Sequence, residues 1–263
     1  MSGLNGYDVI ASVYNKFNTE TDYRKWTEYL EKCFSRFSGP AGIRSVLELG
    51  CGTGNITIEL AKRGYDMTAL DSSDEMLSIA DHRVREEGLK NILLIRSDMA
   101  SFELYGTVDC IICCLDGINH LYRKDDILSC FWLVSNYLSD GGLFIFDLNT
   151  PYKFKTEYAG HDYIFEDPDT TCLWQNFMSN NDEVCDFMMT VFEKDPDGPE
   201  DRWIRKDGMI RERAYGLRSI KNALEKNKLE IINISEDLDF TPVSSKAKRW
   251  FITARKSTNI QEG

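Results

Sequence analysis

The stretch "VLELGCGTGNITIELAKRGYDMTALDSSDEM", residues 46–76, decides the reading of this chain. Val46, Leu47 and Leu49 form a short apolar run, glycines follow at 50, 52 and 54, and Ile56, Ile58, Leu60 and Ala61 continue apolar. That order predicts strand, tight turn and helix. A dinucleotide fingerprint needs G-x-G-x-x-G, whereas this loop is G-x-G-x-G followed by Asn55, so its third glycine comes one residue early.

The acidic positions around the loop discriminate better. Asp71 closes the second apolar run, about 20 residues beyond Gly50, where a carboxylate accepts two hydrogen bonds from a ribose cis-diol. Asp98, in "IRSDMASF", adds an acceptor suited to the exocyclic amine of an adenine, and Met76 and Met99 offer apolar cover for its face. Glu48, just before the loop, suits an ammonium or sulfonium better than a diphosphate.

Outward from the loop, strands are expected at about 45–50, 66–71, 92–97, 108–115 and 142–148, alternating with helices at about 54–63, 73–87 and 124–138. Strict alternation implies a parallel sheet covered on both faces. Two helices precede it, at 7–18 and 22–37, the second with Tyr23, Trp26, Tyr29, Leu30, Cys33 and Phe37 at three- and four-residue steps. After Pro151 the rhythm changes. "TTCLWQNFMSN", "EVCDFMMTVFEK" and "WIRKDGMIRERAY", separated by turn signals at "SNND" and "DPDGP", predict an antiparallel β insertion. A helix at 215–227 and the strands "LEIINIS" and "RWFITARK" close the fold, and "STNIQEG" reads as a frayed tail.

In this order the motifs resemble the class I S-adenosylmethionine (SAM)-dependent methyltransferases. "LELGCGTGN" is similar to their first motif, "ALDSSDEML" to the second and "IRSDMASF" to the third, while "LSDGGLFIFDLN" resembles the strand after their fourth helix. The resemblance implies an α/β fold: a Rossmann-like seven-stranded sheet with helices on both faces, whose last strand, "RWFITARK", is antiparallel. The core would span 1–150 and 213–257, with 1–40 as an N-terminal helical cap and 151–212 as the β-rich insertion. Carried over by position, Gly50, Cys51 and Gly52 would line the methionine part of SAM, Asp71 and Ser72 the ribose, Asp98 and Met99 the adenine, and Leu115 the exit of the fourth strand, with Glu48 and Met76 as the acidic and apolar cofactor contacts read above. Tyr14 and Trp26 would close over the cofactor from the N-terminal helices.

The segment after the fourth strand narrows the acceptor. "LDGINHLY" stands where nucleobase and glutamine amide methyltransferases carry an N-P-P-Y-like segment, and no Pro-Cys dipeptide serves as a cytosine C5 nucleophile. "GINHLY" resembles instead the matching segment of small-molecule N-methyltransferases such as those acting on amino sugars, in which a histidine lines the acceptor site. His120 is therefore the candidate catalytic residue, with Tyr14 as its partner. The competing reading has His120 capping the next helix or bonding a loop carbonyl. His82 lies in a charged helical run and His161 in a Gly-Asp turn. Two other functions stay open: a SAM-binding sensor or partner subunit without turnover, and an NAD-dependent oxidoreductase, which the early glycine and Asp98 disfavour.

Composition supplies the frame. The 263 residues carry 31 basic and 43 acidic side chains, and a net charge of −12 repels phosphate backbones and anionic membranes, so no nucleic acid or membrane partner is expected. The start lacks a signal-peptide pattern and no apolar run reaches spanning length, which predicts a cytoplasmic protein. Its eight cysteines then read as reduced thiols. Cys110 and Cys113 match C-x-x-C, yet three residues apart on a strand they point to opposite faces, so no metal is expected there. The insertion reads either as a flap over the acceptor or as the surface of a homodimer.

Overall fold

A computed structural model describes residues 6–199 and 202–257; the expected frayed tail, apart from Ser257, lies outside the described residues. Helices α1 (Gly6–Phe17) and α2 (Tyr23–Phe37) come first. Asp22 caps α2 by accepting from the Lys25 N–H at 2.9 Å, which fixes where the chain turns into the helix. Then β1 (Ser45–Leu49), α3 (Asn55–Lys62), β2 (Asp66–Asp71), α4 (Asp74–Glu86), β3 (Ile92–Arg96), β4 (Val108–Cys113), α5 (Lys124–Tyr137) and β5 (Leu138–Asn149) alternate as the sequence predicts. The crossing from β3 to β4 is an irregular segment rather than a helix.

After β5 the chain makes a short helical step, α6 (Pro151–Lys153), which continues as a π-turn over Phe154–Tyr158. The insertion, expected as β-rich from residue 151, thus opens on a helical step. Thr150 accepts from the Lys153 N–H at 3.2 Å and Pro151 occupies the first helical position, the local chemistry that starts a helix. Strands β6 (Asp162–Asp167), β7 (Thr170–Met178), β8 (Val184–Lys194) and β9 (Trp203–Arg213) come next, then α7 (Leu217–Lys226), β10 (Leu229–Ser235) and β11 (Arg249–Lys256). Strand β6 was not among the expected segments.

Among the described residues two sheets form. The seven-stranded sheet has the order β10-β11-β5-β4-β1-β2-β3, and the four-stranded sheet the order β6-β7-β8-β9. In the larger one β1 to β5 run parallel, while β11 is antiparallel to both β5 and β10, as the resemblance implies. Its core lies in two layers, one per face. Cys110 packs in the layer under α2 and α3, and Cys113 in the layer under α5 and α7, so the C-x-x-C thiols are separated by the sheet. All eight cysteines are free and buried.

Helix α1 joins the two sheets. Val9, Ile10 and Val13 pack with Phe187, Met189, Val191 and Ile210 of the smaller sheet in a third cluster. The approach is close: a Cβ on Gly208 would come within 2.8 Å of the Val9 side chain, and one on Gly6 within 2.5 Å of Ile210. Glycine at both positions lets α1 lie flush on β9.

Candidate active site

A cavity of about 330 Å³ opens beyond the carboxyl ends of β1 and β4, where the strand order reverses. Ligands of open α/β sheets bind at this place, and the volume lies within the range of small-molecule sites.

The glycine loop forms one wall. Gly50, Gly52 and Gly54 all have left-handed backbones, with φ of 71°, 53° and 77°. The N–H groups of Gly50 and Cys51 both donate to the Leu70 carbonyl, at 2.8 and 2.9 Å. Asp71 pins the turn from the side: its carboxylate accepts from the Gly52 N–H at 2.8 Å and from the Ser73 N–H at 2.9 Å. The third glycine has a packing reason. A Cβ on Gly54 would stand 3.2 Å from the Cβ of Ala80 on α4, whereas one on Gly52 meets nothing within 4 Å and would point into open space.

Every residue expected at the site lines this cavity except Trp26. Trp26 is buried in the layer under α2, its ring 5.3 Å from that of Phe251. The helical spacing that made it a candidate is the spacing of the buried face of α2, so its place in the core corrects the expectation. Tyr14 does face the cavity. Glu48 is 3% exposed and accepts from the Thr57 hydroxyl, and burial pushes its carboxyl up to about 8. Asp98 is exposed at the rim, accepting from the Ala100 N–H at 2.7 Å, while Met76 is buried.

Helix α1 is clipped across the loop by polar contacts. The Ser73 hydroxyl donates to Asp8 at 2.6 Å, and the Asn15 amide oxygen accepts from Thr53 at 2.9 Å and Asn55 at 3.0 Å.

The opposite end is built from side chains. Beyond β4, Leu115 and Asp116 both adopt left-handed backbones, φ 58° and 59°, a conformation costing of order 1–3 kcal/mol for a residue with a side chain. A buried network holds them there. The Asp116 N–H donates to Asp147 at 2.9 Å, and Arg249 bonds Asp116 at 2.7 Å and Asp147 as well. Asn119, fully buried, accepts from the Asn149 N–H at 2.8 Å and donates to the carbonyls of Asn149 and Arg213, so the turn Gly117–His120 is fixed to the ends of β5 and β9.

His120 ends that turn and does not cap α5, whose N-cap is Arg123. Its Nε2 lies 2.8 Å from the Tyr7 hydroxyl and 3.8 Å from Glu212, and the Arg211 backbone also bonds the ring. The hydroxyl expected beside His120 was that of Tyr14; the one bonded to it belongs to Tyr7, two helical turns earlier, which packs edge-on against both Tyr14 and His120. Burial lowers the imidazole pKa from its ordinary value, so the ring is neutral near pH 7, and burial raises both phenols, which stay protonated as donors. Met209, Ile210 and Arg211 of β9 complete the lining.

Tyr7, Asp116, Asn119, Glu212 and Arg249 were not singled out from the sequence. The seven-residue spacing of Tyr7 and Tyr14 on one helix carried a signal, and Asp116 stood within the quoted "LDGINHLY". Glu212 and Arg249 carried none, being distant in sequence from everything they meet.

Residues 46–142 match the family model described as a methyltransferase domain. Over 255 residues the chain is 28% identical to YqeM of Bacillus subtilis (strain 168), a protein named as a methyltransferase, covering 97% of this chain and 98% of that one. It is 30% identical to an S-adenosylmethionine-dependent methyltransferase of known structure from Clostridium acetobutylicum ATCC 824, with a TM-score of 0.83 over 96% of this chain and 100% of that one. SAM-bound CalS10, an amino pentose methyltransferase from Micromonospora echinaspora, aligns with a TM-score of 0.69 at 17% identity over 93% and 97% of the two chains, a likeness of fold. The chain belongs to the class I S-adenosylmethionine-dependent methyltransferases. Its activity is methyl transfer, its cofactor SAM and its product S-adenosylhomocysteine. Among the described residues no helix is long and apolar enough to cross a membrane.

Proposed function

We propose that the chain methylates the nitrogen of a small-molecule amine. SAM brings the methyl group already activated as a sulfonium, so the side chains need only hold, align and deprotonate the acceptor. The observation that carries the reading is His120, a neutral imidazole on the cavity wall, with carboxylate oxygens of Asp116 and Glu212 within 4.8 Å of its nitrogen. An amine arrives protonated, and its lone pair is released once a neutral histidine takes that proton. The Asp116 carboxylate favours both the ammonium and the imidazolium that replaces it. An alcohol, far less acidic, gains little from so weak a base.

On this reading Glu48, Gly50, Cys51 and Gly52 hold the methionine part of SAM, Asp71 and Ser72 the ribose, and Asp98, Met99 and Met76 the adenine. Leu115 lies beside the transferable methyl, and Tyr14 closes over it from α1. The open direction at Gly52 and the buried carboxyl of Glu48, which a cationic ligand would ionise, support this fit. His120 is the base, and Tyr7, whose hydroxyl lies 2.8 Å from its Nε2, passes its own proton to that nitrogen as it takes the acceptor's, with Tyr14 edge-on beside it. The core comprises 1–150 and 213–257 and the insertion 151–212 is a flap over the acceptor, a division favoured by the β9 residues on the cavity wall. Eight free, buried cysteines suit a cytoplasmic setting.

The test is a methylation screen with methyl-labelled SAM and a metabolite extract, with mass spectrometry locating the label. Label on nitrogen supports the reading, and label confined to oxygen or carbon overturns it.

A further inference from the structure

We infer that Glu212 is the anionic subsite for the acceptor, receiving the amine as a monovalent ammonium ion beside His120 and so selecting amines over alcohols and over acceptors held through a divalent metal. This rests on the amine reading above and adds the residue that would enforce it.

Glu212 is the penultimate residue of β9 and is 5% exposed. One carboxylate oxygen lies 3.8 Å from the His120 Nε2, and the other is buried without a hydrogen-bond partner. A buried acceptor left unsatisfied is costly, so a donor delivered by a ligand recovers that energy on binding.

The surrounding charges define the donor. Glu212 faces Asp116, Lys153, Arg249 and His120, along with the Asn149 side-chain amide, the hydroxyls of Tyr7 and Tyr158 and the Cys185 thiol. Asp116 and Asp147 are matched by Arg249, which bonds both, and by Lys153, whose ammonium donates to Asn149 at 3.0 Å. Ionised, Glu212 would be a third carboxylate against two cations, so its charge is balanced by one positive charge, either its own proton or a bound ammonium.

Asp116, His120 and Glu212 also have ligand atoms within 4.8 Å of one another, a spacing a metal ion could use. A divalent ion, however, would leave excess positive charge next to Arg249 and Lys153, and would compete with Arg249 for Asp116, which it already bonds at 2.7 Å. Burial raises the Glu212 carboxyl well above its ordinary range and so favours its protonated form. An incoming ammonium ionises it, and that proton goes to solvent, with no covalent bond made or broken.

Calorimetry on protein loaded with S-adenosylhomocysteine tests this, with cyclohexylammonium chloride, cyclohexanol and manganese(II) chloride as probes, near neutral pH in two buffers of different ionisation heat. Wild type should bind the ammonium with release of up to about one proton. Binding should weaken by roughly ten- to a hundredfold in Glu212→Gln, and also in Glu212→Asp, with affinity for S-adenosylhomocysteine and melting temperature retained in at least one of them. Cyclohexanol should bind more weakly than the ammonium. The inference is overturned if the ammonium does not bind, if it binds both variants as well as wild type, if cyclohexanol binds equally well, or if manganese binds wild type and is lost in Glu212→Gln. Nitrogen methylation with an unchanged KM in Glu212→Gln would end this inference alone, whereas methylation only of oxygen would end the amine reading with it.

Discussion

At the cofactor end of the cavity, residues within a single stretch of the chain do the shaping, and they do it largely with backbone: three left-handed glycines, the Leu70 carbonyl and the Asp71 carboxylate. At the acceptor end, the shape comes from side chains brought in by α1, the β4 exit, β9 and β11, locked by the bonds of Arg249, Asn119 and Asp147. The first kind of wall tolerates side-chain changes that spare its glycines and fails when its backbone is obstructed. In the second, a single side chain sets what enters, so specificity belongs there while cofactor affinity belongs to the loop.

The sharpest way to break this contrast is at Gly52. With φ at 53° and open space where a Cβ would stand, Gly52→Val should weaken S-adenosylhomocysteine binding by roughly a hundredfold or more, about 3 kcal/mol, while circular dichroism stays native. Unchanged affinity by calorimetry would mean that the loop does not touch the ligand. At the other end, His120→Ala should keep that affinity and lower turnover by about ten- to a thousandfold. The same variant sharpens the pH argument. Because burial lowers the His120 pKa, the base is deprotonated above a value below the ordinary histidine range. The wild-type kcat/KM should therefore fall only as pH drops through that lowered value, a limb missing from His120→Ala.

A smaller effect separates the two ends by stability. Glu48 has its carboxyl pushed from 4.5 to about 8 in the folded chain, so it contributes fully below about pH 4.5, and that stability is lost as pH rises toward 8. Between those values the loss amounts to a few kcal/mol. Urea titrations across this window should show Glu48→Gln declining less steeply than wild type; parallel curves would remove Glu48 as a buried acid. Smallest of all should be the effect of Trp26→Ala on cofactor affinity. It should cost about 3–5 kcal/mol of stability and change S-adenosylhomocysteine affinity by less than about threefold, because its ring packs on Phe251 in the core.

The same contrast explains what the sequence made legible. Alternating strands and helices, the glycine turn and Asp71 follow from periodicity and short-range spacing, and Gly54 shows why the third glycine comes early: it meets Ala80 of the next helix rather than a phosphate. The acceptor end obeys no local period. Tyr7 and His120 are 113 residues apart, and Asp116 and Arg249 are 133 apart, so their meeting is a product of topology. Trp26 shows the converse error, since helical spacing marks a buried face without saying what lies against it. The helical step at 151 escaped notice because it is only three residues long, and strand β6 because it has no fully buried face, its residues alternating between exposed and half-buried.

The central claim, that a neutral His120 serves nitrogen acceptors, is tested most directly by an acceptor identified from the extract screen, paired with the analogue in which hydroxyl replaces the amine. Formation of S-adenosylhomocysteine is followed for each with wild type and His120→Ala. The account predicts rapid turnover of the amine by wild type, a drop of about tenfold or more in the variant, and negligible turnover of the hydroxyl analogue by either. Equal rates on the two compounds, or an amine rate indifferent to His120→Ala, would contradict it.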